Sequence, residues 1–184
     1  YAEKQILIST HSSFVANKLG LGKVMLLDNL KITKFSDLSE ETYNFFKKVA
    51  GYDTLRMILC KKAILCEGDS DELVIQKAYM QLNDGRLPIE DGIEVISVGV
   101  SFLRFLEIAD FIQTKIAVVT DNDGDMEAIK KKYKNYMGEN QNDYIKICVD
   151  NIVDTGTLKI GESGYNYNTL EPKLLKVNGM EKLN

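Results

Sequence analysis

The sequence predicts an α/β fold in which a parallel sheet is flanked by helices, and three observations carry that expectation. From Lys62 onward, short apolar runs near 62–67, 92–98, 115–121 and 144–149 alternate with helix-sized segments near 71–82, 100–113 and 125–136. Such alternation favours a doubly wound parallel sheet with right-handed crossovers. The run Ala63-Ile-Leu-Cys66 is too short for a buried helix and suits a strand covered on both faces. Finally, two of these runs end in acid, Glu67 after the first and Asp121 with Asp123 after the third. The carboxyl ends of parallel strands share one edge of an open sheet, and ligands bind there.

Taken in order, 5–10 reads as a strand, followed by His11 and a short helix capped by Ser12 or Ser13 and ending near Gly20. Segments 23–28 and 31–35 read as a hairpin around Asn29-Leu30. Segment 39–50 carries Tyr43, Phe46, Val49 and Ala50 at helical spacing, with Ser39 as cap and Gly51 as stop. A second helical piece, 53–59, leads into the strand at Lys62, so the domain boundary is expected between Lys48 and Lys61, dividing 1–50 from 51–184. After Glu67, Gly68 lets the chain turn and Asp69 or Ser70 can cap the next helix. Segment 151–168 is rich in Gly, Asn, Thr and Tyr and reads as a loop, and 169–177 as a last helix with Pro172 in its first turn.

A hydrophobic content of 45% is enough for a packed core. The net charge of −4, from 27 acidic and 23 basic residues, weighs against polyanion binding by bulk electrostatics. An acidic site loses that bias when it takes up divalent cations. Lys130, Lys131, Lys132 and Lys134 form a basic stripe that reads first as a solvated helix face and second as a phosphate contact. Cys60, Cys66 and Cys148 include no Cys-x-x-Cys pair and read as reduced core residues of an intracellular, cytoplasmic protein. No secretory core and no apolar run of about eighteen residues is present, so no membrane partner is expected. The chain starts at Tyr1 in strand-like sequence, which suggests a fragment of a longer protein.

Hard divalent cations prefer oxygen ligands, and Glu67, Asp71, Asp121 and Asp123 supply them for one or two ions of Mg²⁺ or Mn²⁺. Asp71 falls in the first turn of the helix after Glu67, where it can face back over the strand end. Asp121 and Asp123, two apart on extended chain, can point the same way. Structural roles compete: Asp69 with Glu72 forms a capping box, Asp71 can serve the helix dipole, and Asp125 can be an N-cap. Glu67 and Asp121 resist such readings, because each ends an apolar strand where an unpaired charge is costly. An EF-hand loop is excluded by a glycine at the wrong position and the lack of its last glutamate. A phosphatase with Asp121 as nucleophile and Asp123 as acid leaves Glu67-Gly68-x-x-Asp71 unexplained, and Gly20-Leu-Gly-Lys23 lacks phosphate-loop spacing.

Glu67-Gly68-x-x-Asp71 after one strand and Asp121-x-Asp123 after a later one resemble the TOPRIM domain of topoisomerases, bacterial primases, recombination mediators and OLD-family (overcoming lysogenization defect) nucleases. Ile6-Leu-Ile-Ser-Thr-His-Ser12 resembles the last core strand and switch histidine of an ABC-type ATPase, which OLD nucleases place directly before their TOPRIM domain. The resemblance covers 5–28 and 61–175, and within the family it points toward the nuclease subunits of Gabija anti-phage systems. It implies a Rossmann-like TOPRIM domain preceded by the C-terminal end of an ATPase domain. It also implies metal-dependent DNA endonuclease activity, ATP bound by the ATPase domain, and His11 as γ-phosphate sensor. Glu67 and Asp71 would hold one ion, Asp121 would be shared, and Asp123 with Glu171 would complete a second; Glu67 could instead act as general base. The family's lysine would be Lys173 or Lys176, or lie beyond Asn184. Implied partners are DNA, further copies of the chain through the ATPase domain, and a helicase subunit. The ATPase phosphate loop and signature motif are not in this sequence, so ATP hydrolysis by this chain alone is not expected. The rival expectation is a non-catalytic TOPRIM module that binds metal and docks nucleic acid or a partner protein.

Overall fold

In a strand, alternate side chains face opposite sides of the sheet, so a run that is apolar throughout needs cover on both. The strand β3 (Lys62–Cys66) meets this condition by lying inside a four-stranded sheet of order β4-β3-β5-β6. Its neighbours are β4 (Ile93–Ser97) and β5 (Lys115–Val119), and β6 (Ile145–Cys148) forms one edge. All three pairings are parallel, with Ile64 opposite Val95 on one side and Ala117 on the other. The computed structural model describes residues 4–10, 12, 15, 18, 23–28, 30–49 and 52–179.

Three helices make the crossovers: α3 (Asp69–Leu82), α4 (Phe102–Ile112) and α5 (Met126–Lys132). Phe102, Phe105, Leu106, Ile108 and Ala109 form the apolar stripe of α4. They share one core with Ala63, Leu65, Ile116, Val118 and Ile145 from the sheet. The helix α3 buries no residue fully, so the burial is lopsided, with α4 at its centre.

Ahead of the sheet come the hairpin β1 (Met25–Asp28) and β2 (Lys31–Lys34), then α1 (Glu40–Val49) and α2 (Tyr52–Leu59). The hairpin pairs Asp28 with Lys31 across the expected two-residue turn, with Leu30 in the left-handed region at φ 65. The start of α1 is held to α4 by polar contacts. The Ser39 hydroxyl accepts from the Thr42 N–H at 3.3 Å, as expected of a cap. Glu107 on α4 accepts from the Ser39 N–H at 3.1 Å and from the Thr42 hydroxyl. Arg104 on α4 pairs with Glu41 at 2.6 Å. Below them Phe46 meets Phe105 edge to face at 5.2 Å. Arg56 on α2 donates to Glu94 at 2.6 Å and to the Val95 carbonyl at 3.1 Å, fixing α2 on β4.

Several elements differ from expectation for physical reasons. Residues 4–10 form no strand: Ile6, Leu7 and Ile8 are exposed, and among the described residues no strand pairs with this segment, as a ladder would require. His11 and most of the helix expected after it lie outside the described residues. The helix α3 begins at Asp69, with Gly68 as N-cap in place of Asp69 or Ser70. The helix α5 stops at Lys132, with Tyr133 as its C-cap, instead of reaching Tyr136. The expected loop 151–168 contains a hairpin, β7 (Thr157–Ile160) and β8 (Ser163–Asn166), turning at Gly161 with φ 61. Its strands are mostly exposed, so no apolar alternation announced them. The last helix, α6 (Leu170–Asn178), begins one residue later than expected, with Thr169 as its N-cap, and ends one residue beyond Val177. No helix among the described residues is long and apolar enough to cross a membrane.

Candidate metal centre

The turns that follow β3, β4 and β5 meet at the carboxyl edge of the sheet and are tied to one another through Glu67. Its carbonyl accepts from the Gly99 N–H at 3.0 Å and from the Ser97 hydroxyl at 3.2 Å. Its carboxylate accepts from the Thr120 hydroxyl at 2.9 Å through Oε1. Asp71, in the first turn of α3, reaches back so that its Oδ2 accepts the Gly68 N–H at 2.9 Å. Asp71 is therefore the acid that closes this helix end. The expected Asp69–Glu72 capping box does not form, and Glu72 instead accepts from Gln76 at 3.0 Å.

Asp121 leaves the end of β5 half-buried, and its Oδ2 accepts the Leu170 N–H of α6 at 3.1 Å. Burial raises its pKa; the Leu170 N–H opposes this, and the charges of Asp71, Glu67 and Asp123 push it further, to about 6. The other three expected acids therefore all act on Asp121. Asp123 departs from the extended geometry foreseen for it. It is exposed and left-handed at φ 51, followed by Gly124 at φ 87. A short polar side chain tolerates that region better than a branched one.

The turn is held by Asn122, which is 2% exposed. Its Nδ2 donates to the Asp150 and Ile152 carbonyls at 2.7 and 3.1 Å, and its Oδ1 accepts the Gly124 N–H at 2.9 Å. Asn168, also buried, donates to the Asp154 carbonyl at 2.8 Å and accepts the Asp154 N–H at 2.7 Å. This clasp brings α6 to the acidic edge. Glu171 lies in its first turn, exposed, next to the residue bound to Asp121. Lys173 pairs with Asp150 and Lys176 with Asp154, and each ammonium holds its carboxyl below the usual range. Asp125 caps α5 by accepting the Ala128 N–H at 3.0 Å.

Sequence reasoning passed over Thr120, Asn122, Asp150, Asp154 and Asn168. Asp150 carried a usable signal, since it closely follows an apolar strand as Asp121 does. Asn122 and Asn168 carried none for the clasp, because the backbone groups of 150–154 that they bind are remote in sequence.

A hard divalent cation suits this donor set. Glu67, Asp71 and Asp121 each commit one carboxylate oxygen to the protein, and the other accepts no hydrogen bond among the described residues. No three acids of the described residues converge on one point. Mg²⁺ does not need three, because it is commonly held by one or two carboxylates together with water and phosphate oxygens.

Residues 58–123 match the family model described as the overcoming lysogenization defect protein-like TOPRIM domain. That TOPRIM match runs from the end of α2 to the turn after β5 and contains Glu67, Asp71, Asp121 and Asp123. No curated protein and no solved structure matches the chain. The four parallel strands with flanking helices are the Rossmann-like arrangement of a TOPRIM domain. TOPRIM domains bind divalent metals such as Mg²⁺ and occur in nucleases and topoisomerases, so the match supports metal-dependent processing of nucleic acid.

Proposed function

We propose that the chain is the nuclease part of an OLD-family DNA endonuclease, cutting phosphodiester bonds at the edge formed by Glu67, Asp71, Asp121 and Asp123. The observation that carries this reading is the pairing of each committed carboxylate oxygen with an uncommitted one in Glu67, Asp71 and Asp121. The protein thus orients these acids while leaving each able to bind. Mg²⁺ or Mn²⁺ held there would polarise phosphoryl oxygens and make water more acidic. Glu67 and Asp71 would hold one ion, Asp121 would be shared, and Asp123 and Glu171 would serve a second. The Thr120 hydroxyl and the Leu170 N–H set the orientations of Glu67 and Asp121. Glu67 also suits a general base, because its second oxygen is free to accept a proton from water.

In this reading residues 1–50 are the end of an ATPase domain, His11 senses the γ-phosphate of ATP, and copies of the chain associate through that domain. The most specific form of the proposal is a cytoplasmic Gabija-type nuclease subunit in anti-phage defence, with a helicase partner. The test is cleavage of supercoiled plasmid by the full-length protein with Mg²⁺ or Mn²⁺, beside Glu67→Ala and Asp121→Ala variants confirmed to be folded. Active wild type with both variants silent is the expected result. A folded wild type that binds metal and DNA but never cuts, with or without ATP, would replace the nuclease by a docking module. One observation favours that second reading: Lys173 and Lys176, the lysines nearest the edge on α6, are both engaged by aspartates.

A further inference from the structure

The acidic edge does not account for the lysines at 130–132 and 134. A helix dipole favours cations in the last turn, which suits Lys130, Lys131 and Lys132. It does not explain Lys134, which lies beyond the C-cap Tyr133. Lys130 pairs with Glu127 at 2.7 Å. Lys131, Lys132 and Lys134 pair with no carboxylate among the described residues.

Those three lysines line a cavity of about 710 Å³ between α4 and α5. Right-handed crossovers from β4 to β5 and from β5 to β6 advance the same way across the sheet, which puts α4 and α5 side by side on one face. Lys132 is half-buried, and its ammonium stands 5.2 Å from the Phe102 ring and 5.1 Å from the Tyr133 ring, which holds it in place. The facing wall, on α4, includes Leu103, Arg104 and Glu107. Both of its charges are already engaged, Arg104 by Glu41 and Glu107 by Ser39 and Thr42. The cavity therefore gathers three unpaired lysines in a chain whose net charge is −4.

Its position identifies the anion. The helix α4 follows the turn in which the Gly99 N–H binds the Glu67 carbonyl, and α5 follows the turn from Asp121 to its cap Asp125. Both helices leave from the acidic edge, and Leu103, Arg104 and Ala128 in their first turns line the cavity. An anion reaching from cations at that edge into the cavity is extended and carries charge at intervals. A nucleic-acid backbone has that form, and a free phosphate does not.

We propose that the groove between α4 and α5 binds the phosphate backbone of duplex DNA beside the segment held at the acidic edge, through Lys131, Lys132 and Lys134. This rests on the reading of that edge as the site of DNA cleavage. Such contacts add affinity and fix register without reading sequence.

The test is fluorescence anisotropy of a labelled DNA duplex with the full-length protein over a range of KCl, with Ca²⁺ present to neutralise the acidic edge. Each phosphate contact contributes about −0.9 to the slope of log affinity against log salt. Lys131→Gln with Lys134→Gln is expected to flatten the slope by about 1.8, so that its loss of affinity is about tenfold greater at about 50 mM than at about 200 mM salt. Lys77→Gln with Lys146→Gln removes the same charge from exposed positions on α3 and β6 and is expected to leave the slope unchanged. Lysine acetylation mapped by mass spectrometry reads the wild type directly, and decides if the variants fail to fold: DNA is expected to protect Lys131 and Lys134 but not Lys77. Equal slopes in the two double variants, or no protection by DNA, would overturn the groove, while plasmid cleavage that Asp121→Ala abolishes would leave the nuclease standing. Protection by ATP in place of DNA would assign the groove to a nucleotide and overturn the proposal. Wild type that neither binds nor cuts DNA would overturn the nuclease reading and this inference with it.

Discussion

At the scale of single residues, the acidic edge places like charges together at a cost to the cation-free fold. Asp121 bears that cost most directly, because burial and three acidic neighbours all oppose its ionisation. Asp121→Asn keeps an oxygen for the Leu170 N–H and removes the charge. The variant is expected to melt above wild type without divalent cation. Wild type, but not the variant, is expected to gain stability on adding Mg²⁺ or Mn²⁺, by about 2.7 kcal/mol at a hundredfold excess over the dissociation constant. Differential scanning fluorimetry checks both, and an equal cation response in the two proteins would move the site elsewhere. The same causes act on Cys66. Burial, then the charges of Asp71, Glu72, Asp69 and Glu67, push its thiol up to about 12, so thiolate is scarce at pH 8. Alkylation of Cys66 by iodoacetamide at that pH is expected only on the timescale of unfolding, which peptide mapping by mass spectrometry would show. Glu67 and Asp121 were legible in the sequence because acid at the end of an apolar strand demands a reason. The capping bond of Asp71 was not, since the same spacing permits Asp69 or Glu72 in that role and only the backbone entry angle decides.

At the scale of elements, the junction of α1 and α4 depends on Glu107. Burial raises its pKa, but hydrogen bonds from Ser39 and Thr42, with the charge of Arg104, more than offset this and hold it below the ordinary carboxylate value. A lowered folded pKa means that Glu107 contributes its full stability above the unfolded value of about 4.3. That contribution is lost as pH falls through the folded value. Glu107→Ala is therefore expected to cost about 1–3 kcal/mol at pH 7 by stranding its donors. The gap to wild type is expected to narrow below about pH 4. Urea melts at pH 7 and pH 3.5 would show it, and a gap independent of pH would mean that lost packing dominates. The parallel strands were readable as continuous apolar runs because both their faces are covered, and α1 by the helical spacing of its buried face. The β7–β8 hairpin was not, because Ser163–Asn166 is exposed throughout and buries no apolar face, and segment 4–10 was over-read because an apolar run gives no sign of whether a partner strand exists.

At the scale of the whole molecule, alternation of strand and helix specified a parallel sheet, but not that β3 lies inside it with β4 and β6 at the edges. That order depends on which face of the sheet α3 and α4 each cover, which alternation alone does not state. Nor did the sequence reveal how far the core extends toward the N-terminus. Phe35, Leu38, Phe46 and Met57 belong to the same buried cluster as Leu65, Phe105 and Val118. A division of function near residue 50 therefore need not be a division in folding. Phe46→Ala is expected to cost about 3–5 kcal/mol, a large part of the roughly 5–15 kcal/mol of a domain this size. Because the cluster is continuous, the loss is expected to lower a single transition without splitting it in two. Truncation provides a sharper contrast. A chain beginning at Lys31 retains Phe35, Leu38 and Phe46, whereas one beginning at Tyr52 lacks all three and exposes the face of α4 around Phe105. The first is expected to melt cooperatively, and the second to melt far lower or to bind the hydrophobic dye ANS before melting. Equal melting temperatures for the two would show that the sheet and its crossover helices fold without the preceding segment, and that the shared contacts only dock it.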